Sequence, residues 1–262
     1  MITFPNAKIN LGLNIVSKRE DGYHNIESCF YPIPWYDSLE VIEAASFGFY
    51  SYGLDIPGDS NSNLCIKAYE LIRADHDIPL VEIHLLKNIP MGAGLGGGSA
   101  DGAFTLKMLN NLFELGLSHS QLEAYALQLG SDCPFFIKNQ PALAKGRGEQ
   151  LEPIALELSG YYLAIHNPGI HVSTQEAYAR VKPQIPPTPI ADLIHTTKNE
   201  WKEVLFNDFE ASIFPNHPEI EQLKKEMYEA GASYASMTGS GSTVYGLFEE
   251  EIESDQWKSI KL

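Results

Sequence analysis

Cations are scarce in this 262-residue chain: 18 lysines and arginines stand against 34 aspartates and glutamates, for a formal net charge of −16. That balance argues against a nucleic-acid backbone or an anionic membrane surface as the main partner. It leaves room for a small anionic ligand, which needs only a local cationic pocket. Cysteine is equally sparse. Cys29, Cys65 and Cys133 are far apart and odd in number, and no Cys-x-x-Cys pair occurs. Neither a disulfide framework nor a zinc site fits that spacing, and a reducing cytoplasm is the compartment it predicts. No apolar run approaches the roughly 18 residues of a membrane span. Lys8 interrupts the first apolar stretch, unlike a secretory signal. What is present, 44% hydrophobic and 20% charged residues, is globular composition, in a chain long enough for one large domain or two ordinary ones.

Hydrophobic periodicity supplies the elements. Residues 7–15 alternate, with Ile9, Leu11, Leu13 and Ile15 on one face and Lys8, Asn10, Gly12 and Asn14 on the other. This predicts a half-buried strand with a polar second face. Residues 81–89 read as a strand, and 99–115 as a helix stopped by Gly116. Ser118 and Gln121 have capping-box spacing for a second helix that closes at Gly130. Residues 133–137 are predicted to be extended, and 142–154 to form a hairpin turning at Gly146-Arg147-Gly148. A short strand over 161–166 precedes a proline-rich exposed connection at 182–189. Pro218 opens a helix at its favoured first position, with Gly231 after its end. A strand over 244–248 follows. The mixture is α+β, and a domain boundary is placed at 157/158, giving segments 1–157 and 158–262.

The densest local signal is Pro90-Met-Gly-Ala-Gly-Leu-Gly-Gly-Gly-Ser-Ala-Asp101. Five of the seven residues 92–98 are glycine. The run links a strand to a helix N-terminus, where free backbone N–H groups and the positive dipole end suit a phosphate. Glycines allow the close approach and the positive φ that such a loop needs. Three known phosphate loops fail to fit. A dinucleotide fold needs a parallel strand after the helix, where a second helix follows instead. The P-loop needs Gly-Lys-Ser/Thr, and no lysine follows Gly98. A protein kinase needs His-Arg-Asp and Asp-Phe-Gly segments, which the sequence lacks.

The loop resembles the second motif of the GHMP kinases, the superfamily of galactokinase, homoserine kinase and mevalonate kinase. Pro5-Asn-Ala-Lys-Ile-Asn-Leu-Gly-Leu13 resembles the first motif, and Met237-Thr-Gly-Ser-Gly-Ser-Thr-Val-Tyr-Gly246 the third. The three span nearly the whole chain. Four further segments are similar to the branch that phosphorylates a cytidine diphosphate-linked alcohol on the non-mevalonate route to isoprenoid precursors. They are Arg19-Glu-Asp-Gly-Tyr-His24, Gly58-Asp-Ser-Asn-Ser-Asn-Leu64, Gly130-Ser-Asp-Cys-Pro-Phe-Phe136 and Asn167-Pro-Gly-Ile-His-Val-Ser-Thr174. The resemblance implies a two-domain α+β GHMP kinase fold. Its N-terminal domain would be like domain 2 of ribosomal protein S5 and its C-terminal domain ferredoxin-like.

The same resemblance implies the site. Asp132 is the expected general base, and Lys8 the cation that keeps it ionised. Both also have bland readings, a turn cap for Asp132 and a solvated strand face for Lys8. ATP is expected on Pro90, Met91, Gly92, Ala93, Gly94, Leu95, Gly96, Gly97, Gly98, Ser99 and Ala100, with Asn63 and Lys87 on the adenosine side. Mg2+ is expected with ATP, Ser99 being its candidate protein ligand. Asp101 reads equally as a complement to the helix dipole. Asn10, Thr174, Gly239, Ser240 and Gly241 are expected around the alcohol. Tyr23, His24 and Tyr178 would grip the cytosine, since flat rings sandwich a pyrimidine and a histidine reads its polar edge. Expected partners are thus the small cytidine diphosphate-alcohol, with no nucleic acid and no membrane, in a monomer or homodimer. Two rivals stay open: another small-alcohol kinase of the superfamily, and a non-catalytic ligand sensor on the same fold.

Overall fold

The computed structural model describes residues 1–59 and 62–262, so Ser60 and Asn61 of the segment 58–64 lie outside the described residues. In chain order, β1 (Ile2–Thr3), β2 (Asn6–Lys18), β3 (His24–Tyr36), β4 (Ser38–Glu43) and β5 (Gly48–Gly53) precede α1 (Leu64–Asp75) and β6 (Val81–Lys87). Then come α2 (Gly97–Leu112), α3 (His119–Leu129), α4 (Phe135–Lys138), β7 (Ala142–Gly146), β8 (Gln150–Pro153) and β9 (Tyr162–His166). Four short helices follow: α5 (Thr174–Tyr178), α6 (Ile190–Leu193), α7 (Trp201–Val204) and α8 (Glu210–Ile213). The chain finishes with α9 (Pro218–Glu229), β10 (Tyr234–Met237), β11 (Val244–Phe248) and β12 (Lys258–Lys261).

Two compact units share these elements, and neither is continuous in sequence. The first comprises residues 1–7, 35–91 and 96–140; the second comprises 8–34, 92–95 and 141–262. Residues 8–34 and 141–157, N-terminal to the boundary read from the sequence, fall in the second unit.

In the first unit, the sheet order is β1-β4-β6-β5, antiparallel except for the β5–β6 pair. Leu39, Val41, Ile83 and Leu85 are buried on one face of that sheet. Helix α3 starts as the spacing predicts. Ser118 accepts from the Gln121 N–H while the Gln121 side chain accepts from the Ser118 N–H, which satisfies two orphan donors at once.

The second unit holds an antiparallel sheet ordered β10-β11-β9-β12, and most of another ordered β2-β3-β7-β8. Its core gathers Leu13, Ile15, Phe209, Ile213, Ile220, Met227 and Val244. The β7–β8 hairpin pairs Lys145 with Gln150, so the turn falls at the predicted glycines. Helix α9 begins at Pro218, and Gly231 after its end has φ +100°.

Two expectations fail. Strand β2 is not half-buried. Its polar face is covered too, with Lys8 3% and Asn10 2% exposed, because the groups opposite it are hydrogen-bonding partners rather than solvent. Residues 133–137 are not extended either. Pro134, at φ −57° and ψ −31°, starts the helical turn α4, because proline's fixed φ suits the start of a helix.

Candidate active site

Strand β6 delivers the chain into the glycine loop, and α2 receives it. Gly96 caps α2 with φ +71°, and among the described residues no side chain caps it. The amides of the first turn are therefore left for a ligand, and no acidic side chain stands in that turn to oppose an anion. A Cβ on Gly97 would sit 2.8 Å from Ile89 Cγ2. Only glycine lets the helix start this close to the strand exit.

Beneath that start lies a buried ionic cluster. Lys87 is fully buried, and its Nζ donates to Asp37 Oδ2 and, at 2.7 Å, to Asp101 Oδ2. Burial lowers the affinity of an ammonium for its proton, but here the carboxylates of Asp101 and Asp37 outweigh it and Lys87 stays charged. Burial pushes the Asp101 carboxyl up to about 7, against the pull of Lys87. Lys87, expected on the adenosine side, thus presents no cation to solvent. Asp37, which carries no motif, was not legible as a site residue.

In the second unit, the middle of the glycine loop is bound to the first and third motifs. The Lys8 N–H donates to Leu95 O at 2.9 Å, and its Nζ to Gly94 O at 3.2 Å. Thr238 Oγ1 donates to Gly94 O at 3.1 Å. Gly94 has φ +77°, and a Cβ there would fall 1.9 Å from Thr238 O. The Lys8 ammonium also donates to Asn10 Oδ1 at 2.6 Å and lies 4.9 Å from the centroid of the Phe30 ring. The Asn10 amide is fixed by donation to Ser28 Oγ at 2.9 Å, and Ser28 Oγ donates onward to Gly12 O at 2.6 Å. Ser28 is a member of this network that strand periodicity did not reveal. Its signal is a polar residue among the buried positions of β3.

Asp132 lies in the turn before α4, in the first unit, where its carbonyl accepts from the Phe135 N–H at 3.3 Å. Burial pushes the thiol of its neighbour Cys133 up to about 12, with Ser99 in the first turn of α2 acting to lower it. Asn63 caps α1, its Oδ1 accepting from the Cys65 N–H at 2.8 Å.

The aromatic expectations are partly gathered. His24 and Tyr178 stack, with centroids 4.5 Å apart and planes 19° from parallel. Phe209 meets Tyr178 edge-on at 4.8 Å. The histidine thus lies flat on the tyrosine rather than standing at its edge. Burial, helped by nearby Lys18, lowers the pKa of His24 and favours the neutral ring. Tyr23 is exposed and carries the Arg147 guanidinium 4.7 Å from its ring centroid. Thr174 is the first residue of α5, and residues 239–241 form the turn between β10 and β11. There Gly239 and Gly241 take φ +55° and +87°.

The first unit can thus hold an anion on the backbone amides at the start of α2, above the buried Lys87 ammonium, and the second unit carries an aromatic pair. Comparison with known proteins shows the family. Residues 63–140 match the family model described as the GHMP kinases N terminal domain, and 190–259 match the GHMP kinases C terminal model. A 4-diphosphocytidyl-2-C-methyl-D-erythritol kinase from Parabacteroides distasonis is 53% identical over 250 residues, covering 95% of this chain and 92% of the relative. One from Cytophaga hutchinsonii is 52% identical over 255 residues, covering 97% and 94%. A crystal structure of 4-(cytidine 5'-diphospho)-2C-methyl-D-erythritol kinase superposes with a TM-score of 0.82 at 33% identity, covering 95% of this chain and 90% of its own.

Proposed function

The chain belongs to the GHMP kinase family, and within it to the 4-diphosphocytidyl-2-C-methyl-D-erythritol kinases, and on that premise we propose how it works. It transfers the γ-phosphate of ATP to the 2-hydroxyl of 4-diphosphocytidyl-2-C-methyl-D-erythritol, on the non-mevalonate route to isoprenoid precursors. The observation that carries the mechanistic reading is the bonding of the Lys8 ammonium to the Gly94 carbonyl, which puts a buried cation on the backbone of the phosphate loop.

The loop from Pro90 to Ala100 holds the triphosphate through backbone N–H groups at the start of α2, aided by the helix dipole. Asn63 serves the adenosine side. Asp132 accepts the proton of the 2-hydroxyl, and Lys8 supplies a buried cation to the reaction. The hydroxyl oxygen forms a bond to the γ-phosphorus as the bond to the bridging β–γ oxygen breaks, releasing ADP. Among the described residues, no group of three or more His, Cys, Asp or Glu could hold a metal ion. Mg2+ would accordingly ride on the ATP phosphates with the Ser99 hydroxyl, supplying charge neutralisation. Asn10 orients Lys8, while Thr174 and the turn at Gly239, Ser240 and Gly241 close on the alcohol. Tyr23 and Tyr178 hold the cytosine by stacking, and His24 reads its polar edge.

The test is ADP release by the purified protein with ATP, Mg2+ and the cytidyl alcohol, with mevalonate and homoserine in parallel. Turnover of the cytidyl alcohol alone is expected. Turnover of mevalonate or homoserine instead would keep the kinase and remove the cytosine site. ATP binding without turnover of any alcohol would favour a sensor.

A further inference from the structure

We propose that Asp37 is a positioning residue for nucleotide binding: one buried carboxylate that fixes both ends of the glycine loop, the strand exit directly and the helix entry through Lys87. At the strand exit, Asp37 Oδ1 accepts from the backbone N–H groups of Asn88 at 2.6 Å and Ile89 at 2.8 Å. These are the two residues before Pro90. At the helix entry, Asp37 Oδ2 pairs with Lys87 Nζ, which donates to Asp101 Oδ2 at 2.7 Å in α2. A Cβ on Gly97 would stand 3.0 Å from that ammonium, so Lys87 lies directly under the first helical residue. Asp37 is itself fully buried, and its N–H donates to Pro5 O at 2.9 Å. All these groups belong to the first unit.

The physical reason is preorganisation. Backbone donors grip a triphosphate well only if they are in place before it arrives, since any ordering on binding subtracts from affinity. A stretch with five glycines in seven residues has unusual freedom to lose. Tying both of its ends to one carboxylate removes much of that freedom in advance. A cluster with only a packing role could direct its bonds anywhere in the core. This one directs them to the residues that flank the loop.

The inference rests on the nucleotide reading above, and direct ATP titration of the full chain separates the two. A wild-type protein that binds no ATP would remove that reading before any variant is made. The sharp variant is Asp37→Asn, whose single oxygen cannot accept from both the amides and Lys87. Its ATP dissociation constant is expected to rise at least about tenfold, while KM for the cytidyl alcohol at saturating ATP stays within about twofold. A folded Asp37→Asn protein that binds ATP like the wild type would overturn the proposal. So would a drop in melting temperature and active fraction with both constants unchanged, the mark of a purely structural role. Asp101→Asn is the gentler variant. Asp101 Oδ1 is buried with no hydrogen-bond partner among the described residues, so the new amide group can take that side while the oxygen keeps facing Lys87. It is expected to weaken ATP binding by about threefold to tenfold at near-native melting temperature. If Asp37→Asn does not fold, Asp101→Asn decides, and unchanged ATP affinity there sinks the proposal.

Discussion

Lys8 shows what burial does to a single charged residue. An ammonium on an ordinary strand face would be solvated, and its removal would matter little. At 3% exposure it needs partners, because an unpaired buried charge costs several kcal/mol. Asn10 Oδ1 and Gly94 O are among those partners, and Ser28 in turn fixes the amide of Asn10. The ammonium is thereby preorganised rather than mobile, which is what electrostatic assistance to a reaction requires. Asp132 is the complementary case at this scale. Replacing it with Asn keeps the shape and removes the proposed proton acceptor. Asp132→Asn is expected to lower kcat by about 10²- to 10⁴-fold, with the ATP dissociation constant unchanged. ADP-release kinetics beside nucleotide titration check this, and near-normal turnover would remove Asp132 as the base.

At the scale of elements, the loop and the helix behind it depend on positions where a side chain has no room. Gly94 combines a positive φ with a neighbouring carbonyl 1.9 Å from where a Cβ would lie. Gly94→Ala therefore faces about 1–2 kcal/mol for the left-handed backbone alone, and a clash with Thr238 besides. Its melting temperature is expected to fall by several degrees and its ATP affinity by more than tenfold. Calorimetry and titration on one preparation read both, and a native-like result would mean that the Thr238 loop yields easily. Helix α3, by contrast, was legible to its first residue. A capping box is a local device, and its two hydrogen bonds need nothing from the rest of the chain. Residues 133–137 were misread because periodicity cannot separate a short buried helical turn from a short buried strand.

The whole molecule carries a net charge of −16, yet its candidate phosphate site is built from backbone dipoles and a few buried cations. Long-range attraction of ATP therefore has no part in the reading; local donors do the binding. Burial also governs the cysteines. All three are free and buried, and burial pushes the Cys29 and Cys133 thiols up to about 12. Since the thiolate is the reactive form, a thiol reagent at pH 8 is expected to leave all three unmodified in the native protein and to label all three in denaturant. Rapid labelling of one under native conditions would reveal an opening of the unit that holds it.

The sequence by itself determined the α+β elements, the glycine loop and its helix, the capping box, the hairpin glycines and the family motifs. Each of these rests on residues close together in the chain, where local hydrogen bonding and φ preferences decide the outcome. Only the tertiary structure decided that β2 is buried on both faces, that His24 lies flat on Tyr178, and that Lys87 is buried between carboxylates. Asp37 belongs to the same group. It stands 50 residues from Lys87 and 64 from Asp101, so no spacing rule connects them. What joins them is the low polarity of the core, where a buried cation is stable only if other parts of the chain bring acceptors to it, here the carboxylates of Asp37 and Asp101.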